Sequence, residues 1–338
     1  MTNETITVKS DELKKMVIER LMEVGMPQAD ASTVADVLVF ADLRGTHSHG
    51  VLRVEHYANR VRKGGMNLTP NLSLQSIKPA VGFVDAAGGV GHIAAKFATE
   101  KAIGMAKEHG IALVGVKNSS HCGALAYYIN MALEAKMTAM VSVNTDAVVV
   151  PYGGKKPFFG TNPFAFGFPG KDESVLLDMA TSEVAFGKIF YAREKNMAIP
   201  EGWAVTKEGE FTTDPHAAFS LFPFGGYKGY GINMMVEALT GLLVGGVFGP
   251  DVKPMYDQLE TYRNLSSFHL VIDPTLFGGE EVYNKAQDMI DGLHAQPPAP
   301  GYDQVKIPGE IEHETMKKSL SAGIEIPQSI YEYLKGQR

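Results

Sequence analysis

Residues 44–53 read RGTHSHGVLR, two histidines and two arginines within ten positions. If Thr46 or Ser48 caps a helix here, His49, Arg53 and Tyr57 fall at i, i+4 and i+8 and form one column near its N-terminus. A guanidinium can grip a carboxylate bidentately, and an imidazole and a phenol beside it can donate, accept or shuttle a proton. The column therefore suits a small anionic substrate, with His47 pointing elsewhere. The plainer alternative pairs Arg53 with Glu55 or Asp42 and leaves the histidines lining a capped turn. An H-x-H pair can also hold a metal, but no C-x-x-C or H-E-x-x-H companion is present, so no metal is expected.

A second cluster, GVKNSSHCGALAYY, puts His121 and Cys122 between a strand and a helix, where function tends to collect. Adjacent residues point apart, so a Cys-His nucleophile pair is discounted, and His121 stands alone as a general acid/base candidate. VPYGGKKPFFGTNPFAFGFP, which contains Thr161, is dense in glycine and proline, as a loop must be where backbone approaches a ligand or another chain closely. LLDMATS places Asp178 at a strand end, where a carboxylate could hold ribose hydroxyls, or could simply favour a helix N-terminus. GGYKGYGINMM offers glycines, Lys228 and a helix start together, which suits a phosphate. GVGHIA at 89–94 has the form of a dinucleotide fingerprint, yet the next strand, IALVGV, ends on Lys117 and Asn118 instead of an acid. It reads as a tight strand-to-helix turn, not a Rossmann motif.

These residues need a scaffold. With 338 residues, 45% apolar and 20% charged, the chain can build one large or two ordinary domains. A net charge of -7 gives no footprint for nucleic acid. One cysteine and an opening without signal-peptide features lead to an expected cytoplasmic location, and the apolar run at 232–249 is too broken by Glu237 and glycines to span a membrane. Apolar spacing predicts helices over 10–25, from 28 to about 44, and over 51–65. Short β-branched and aromatic runs, AVGFVDAAGG, IALVGVKN, MTAMVSVNT, NPFAFGFPG and SVLLDMA, then alternate with helices. A long apolar helix near Gly231, a strand LSSFHLVIDP and a helix from about 280 to 295 follow. The expected layout is a helical subdomain at 1–75, completed by helices from about 230–260 and the C-terminal region. A central sheet domain occupies 76–230, and 231–338 supplies the long helix, a further strand and a return to the helical part.

RGTHSHGVLRVEHY, NSSHCGALAYY, VPYGGKKPFFGTNP, LDMATS and YKGYG together resemble the malate/L-lactate dehydrogenase type 2 family, and the resemblance covers nearly the whole chain. It implies an α/β fold with a non-Rossmann layered mixed sheet of the L-sulfolactate dehydrogenase type, a homodimer, and hydride exchange between NAD, or alternatively NADP, and a small 2-hydroxy acid. NMAIPEGWAVTKEGEFTTDP, MYDQLETYRN and PAPGYDQVKIPGE narrow the expected substrate to (S)-ureidoglycolate, oxidised to oxalurate in allantoin breakdown. The alternatives are malate, lactate, sulfolactate, diketogulonate or a cyclic imino acid. By the same resemblance His121 would be the general base, with His49 its rival as the proton-transfer residue. Ser48, Arg53, Tyr57 and Thr161 would contact the substrate. Thr145, Asp178, Met179, Ala180, Lys228, Gly309 and Glu310 would meet the cofactor. A histidine base implies activity that rises with pH through an imidazole pKa.

Overall fold

The structure, a computed structural model, describes residues 4–337. In chain order its elements are β1 (Thr5–Val8), α1 (Ser10–Glu23), α2 (Gln28–Leu43), α3 (Val54–Arg62), β2 (Gln75–Lys78), β3 (Val81–Asp85), α4 (Gly91–His109), β4 (Ile111–Ser119), α5 (Ala126–Glu134) and β5 (Thr138–Val143). There follow β6 (Phe164–Pro169), β7 (Ser174–Met179), α6 (Phe186–Lys195), β8 (Ala204–Val205), β9 (Ser220–Leu221), α7 (Tyr227–Glu237), β10 (Leu265–Ile272), α8 (Glu281–His294), α9 (Glu310–Ala322), β11 (Ile324–Pro327) and α10 (Gln328–Leu334).

The first helices form because their apolar residues recur on one stripe. α1 buries Leu13, Met16, Val17 and Leu21, and each fully buried leucine contributes about 1.5–3 kcal/mol. Gly25, at φ +90°, ends it as the sequence predicts. Lys9 holds its N-cap place, without a capping side chain. α2 is buried on nearly every face because α1, α4, α5 and α9 all pack on it. The chain's two ends meet here, β1 pairing antiparallel with β11 against the same core.

The main sheet has seven strands in the order β2-β3-β4-β10-β5-β6-β7. Only β3 and β4 pair in parallel, and every other neighbour is antiparallel. β10 enters from residue 265 and lies between β4 and β5, with Phe268 opposite Gly115 on one side and Ser142 on the other. α4 lays a stripe of alanines (Ala94, Ala95, Ala98, Ala102, Ala106) against Val114 and Val116, which lets helix and sheet approach closely. A third, smaller core gathers Val149, Phe159, Ile189, Ile199 and Leu221 around α6, β8 and β9. Among the described residues no helix is long and apolar enough to cross a membrane.

β4, β5 and β7 run the same way, whereas β10 and β6 run opposite to them. The C-terminal ends of the first three and the N-terminal ends of the other two therefore share one rim. His121 follows β4, Thr145 follows β5, Asp178 ends β7, Thr161 precedes β6 and Arg263 precedes β10. Sheet direction alone collects five chemistry-bearing residues from distant parts of the chain, at the end of the strands where α/β sheets hold ligands.

Candidate active site

The rim opens into a cavity of about 690 Å³, within the usual range for a small-molecule or cofactor site. Ser48, His49, Arg53, His121, Thr145, Thr161, Asp178, Met179, Ala180 and Gly309 all line it. Tyr57 stands directly behind it.

The turn from 46 to 53 is not one helix. Two 3-10 turns, His47–His49 and Val51–Arg53, meet at an extended Gly50 before α3 begins at Val54. Asp42, at the end of α2, organises the joint. One carboxylate oxygen accepts the Val51 amide at 2.7 Å, and the other lies 2.9 Å from Nδ1 of His47. A Cβ on Gly50 would sit 2.1 Å from that carboxylate. His47 is thereby tied outward to Asp42. Arg53 pairs with neither Asp42 nor Glu55: Nε donates to the Ser48 carbonyl at 2.7 Å and Nη1 donates to the Tyr256 hydroxyl. His49 and Arg53 thus face the cavity by way of a broken turn instead of a continuous helix, and Tyr57 lies behind them.

His121 lies 2.7 Å through Nδ1 from the hydroxyl of Tyr57, a side chain only 2% exposed. The His49 ring stacks on the His121 ring with centroids 5.5 Å apart. Burial, then the charges of His49, Arg53, His92 and Arg263, hold His121 well below its ordinary imidazole pKa. Burial and Arg53 lower His49 to about 4. Both rings are neutral at pH 7. Burial pushes the Tyr57 phenol well above its ordinary range and the Cys122 thiol up to about 12, so neither ionises there.

Elsewhere on the cavity wall Asp178 accepts the Ala126 amide at 2.8 Å. It anchors the start of α5 and also borders the cavity. Burial raises it to about 6, against the lowering pull of the Ala126 and Leu125 amides and of Arg44. The Thr145 hydroxyl accepts the Thr161 amide at 2.9 Å, and the Thr145 amide donates to the Asn162 side chain at 3.0 Å. Asn162 in turn donates to Asn233 and Glu237 of α7, a buried polar tether beneath the two threonines.

Three expected site residues do not line this cavity. Tyr57, expected to contact the substrate, is 2% exposed and lies behind His121, which it contacts instead. Lys228 is exposed at the start of α7 and does not line it, because the glycine turn before it directs the helix start to the outer surface. Glu310 closes the turn before α9, accepting the Ile307 amide at 3.0 Å and lying 2.9 Å from His294, while its neighbour Gly309 borders the cavity. The fingerprint-like glycines are engaged by the protein itself. The Ser120 hydroxyl accepts the Gly91 amide at 2.8 Å and donates to the Gly89 carbonyl at 3.0 Å, so the N-terminus of α4 is filled by the His121 loop. Among the described residues no group of three or more His, Cys, Asp or Glu is placed to hold a metal.

The sequence reading passed over Arg44, Asp146, Tyr256 and Arg263. Arg263, 2% exposed, pairs with Asp146 and lines the cavity. Arg60 donates to the carbonyls of Thr261, Pro254 and Met255 and thereby straps the segment that carries Tyr256 and Arg263 onto α3. The one available signal was local: Arg44 opens the RGTHSHG run, and Tyr256 and Arg263 lie within MYDQLETYRN.

Comparison with known proteins agrees with this architecture. Residues 8–335 match the family model described as malate/L-lactate dehydrogenase. The chain is 42% identical over 97% of its length to ureidoglycolate dehydrogenase (NAD(+)) of Escherichia coli K12, covering 94% of that protein. It is 38% identical over 97% of its length to malate dehydrogenase of Pyrococcus horikoshii, covering 94% of that protein. The solved sulfolactate dehydrogenase of Methanocaldococcus jannaschii superposes with a TM-score of 0.92 at 36% identity, over 98% of this chain and 96% of that one. The chain belongs to the malate/L-lactate dehydrogenase family and is an oxidoreductase of that fold.

Proposed function

We propose that the protein oxidises a small 2-hydroxy acid with NAD, and that the acid is (S)-ureidoglycolate, giving oxalurate. The observation that carries the reaction class is a neutral His121, held through Nδ1 by Tyr57, facing a cavity that also contains Arg53. Support for the narrower substrate is the 42% identity to a ureidoglycolate dehydrogenase over 97% of the chain. Malate, sulfolactate and other 2-hydroxy acids are the competing substrates, in the direction of oxidation or of 2-oxo acid reduction.

NAD, when bound, supplies the hydride acceptor. The cavity suits a dinucleotide: Thr145, Thr161, Asp178 and Gly309 border it, and the Asp178 carboxylate, although it accepts the Ala126 amide, faces the cavity where it can also accept ribose hydroxyls. Its negative charge would also repel a 2'-phosphate, which favours NAD over NADP. Arg53 keeps Nη2 free for the substrate carboxylate, since Nε and Nη1 are engaged. His121 takes the hydroxyl proton at Nε2. For that Nε2 must be unprotonated, with the ring proton on Nδ1 and donated to the Tyr57 oxygen at 2.7 Å; this tautomer gives up the longer contact, 3.3 Å, in which Nδ1 accepts the Gly123 amide. His49, stacked on His121 and neutral, borders the reacting oxygen as a hydrogen-bond partner. The test is NADH formation with ureidoglycolate, malate, lactate and sulfolactate offered in parallel. A strong preference for ureidoglycolate supports the assignment, preference for another acid removes the substrate name, and silence on all four with both nicotinamides removes the reading.

We further propose a homodimer. Tyr227, Met234, Met235, Leu242 and Leu243 project from α7 and the π-helical turn after it (Ala238–Leu242), each more than half exposed. An apolar face of this kind on a soluble enzyme calls for a partner surface.

A further inference from the structure

Four cations line the cavity: Arg44, Arg53, Arg263 and Lys306. Three of them are held by the protein. Arg53 donates to Ser48 and Tyr256, Arg263 pairs with Asp146, and Lys306 pairs with Glu314 and lies 4.0 Å from Glu310. Arg44 is different. It is 7% exposed at the end of α2, its guanidinium carbon 5.4 Å from the ring centroid of Phe40. The carboxylates of Glu312 and Asp178 favour its charge, yet among the described residues none accepts a hydrogen bond from its guanidinium, and its nitrogens are not sealed into the interior. A buried cation without a partner is costly and persists where a ligand supplies the counter-charge. The helix C-terminus and the Phe40 face favour a positive charge here, but they satisfy none of its five N–H donors.

Lys228, the residue expected to meet a phosphate, stands outside this cavity, and among the described residues each other lysine or arginine lining it already has a protein partner. We infer that Arg44 binds phosphate oxygens of the nicotinamide dinucleotide, an assignment that rests on the dehydrogenase reading above. Two phosphates could meet it, the diphosphate bridge shared by both nicotinamide cofactors and the 2'-phosphate of NADP alone. The Asp178 carboxylate beside it disfavours the second.

The test is the dissociation constant of NADH and of NADPH, read from nicotinamide fluorescence, for the wild type, Arg44→Met and Arg44→Lys. Methionine keeps the stem against Phe40 and removes the charge; lysine keeps the charge and loses the fork. Loss of a charge-assisted pair should weaken binding about 10- to 100-fold in Arg44→Met and less in Arg44→Lys. Equal loss for both cofactors identifies the diphosphate, and loss confined to NADPH identifies the 2'-phosphate. The ligand-free melting temperature separates binding from folding, and Arg44→Lys decides the matter should Arg44→Met fail to fold. Wild-type affinity in the variants overturns the assignment and leaves the dehydrogenase reading intact. A wild-type protein that binds neither dinucleotide overturns both.

Discussion

At the residue scale the account turns on which nitrogen of His121 carries the proton. Tyr57 lies 2.7 Å from Nδ1, so Tyr57→Phe removes the side chain that orients the ring and that can accept an Nδ1 proton, leaving only the Gly123 amide at that nitrogen. The variant should lower kcat by roughly 10-fold or more, part of the 10²–10⁴ that acid–base catalysis supplies, and leave KM nearly unchanged. Steady-state kinetics checks this; a change confined to KM would make Tyr57 a substrate contact instead. The pH profile has a defined sign. A base must be unprotonated, and burial holds His121 well below 6.5, so its neutral form persists as pH falls through 6.5. The kcat/KM for oxidation should stay level across that value and drop only at lower pH, unlike the ordinary imidazole limb that sequence reasoning expects. The Asp178 carboxyl is raised above the ordinary carboxylate range, so discrimination against NADPH should weaken at acid pH as its charge is lost. Relative NADH and NADPH affinities at pH 5 and pH 8 would measure that shift.

At the element scale the fingerprint-like glycines acquire a different purpose. A Cβ on Gly91 would lie 2.1 Å from the Ser120 carbonyl oxygen and 2.5 Å from that of His121. Helix propensity alone favours alanine there by about 1 kcal/mol. Contact with backbone that cannot yield reverses the sign, and Gly91→Ala should cost about 1–3 kcal/mol and displace the His121 loop, lowering kcat as well. Thermal melting and kinetics of that variant decide between the two, and a variant as stable and active as wild type would show that the approach is not needed. Much of this scale is legible in sequence. The stripes of α1, α2 and α4 and the β-branched runs of β4, β5 and β10 declare themselves, and NSSHCG marks a strand-to-helix loop. What is not legible depends on distant partners. The break at Gly50 arises because Asp42 claims the Val51 amide, so the helix expected from 51 starts at 54. The strap over 253–263 exists only because the Arg60 guanidinium reaches carbonyls some two hundred residues away.

At the scale of the whole molecule, strand direction does the collecting. His121, Thr145, Thr161, Asp178 and Arg263 are scattered over more than a hundred residues, and the alternation of β4, β10, β5, β6 and β7 brings them to one rim. Sequence spacing can mark each loop but cannot give strand order, since the placement of β10 between β4 and β5 is a non-local choice. The outer surface carries its own prediction. Met235→Asp, on an exposed apolar position of α7, should shift the protein from dimer to monomer in analytical ultracentrifugation without unfolding it. A wild-type protein that sediments as a monomer would remove the proposed interface.

The central claim is that neutral His121 takes the substrate's hydroxyl proton. It is tested most directly by His121→Ala, measured for kcat, for KM and for NADH affinity in the same preparation. The account predicts a loss in kcat of about 10²–10⁴ with NADH binding near wild type. Turnover close to wild type would contradict it and pass the role to His49 or to water.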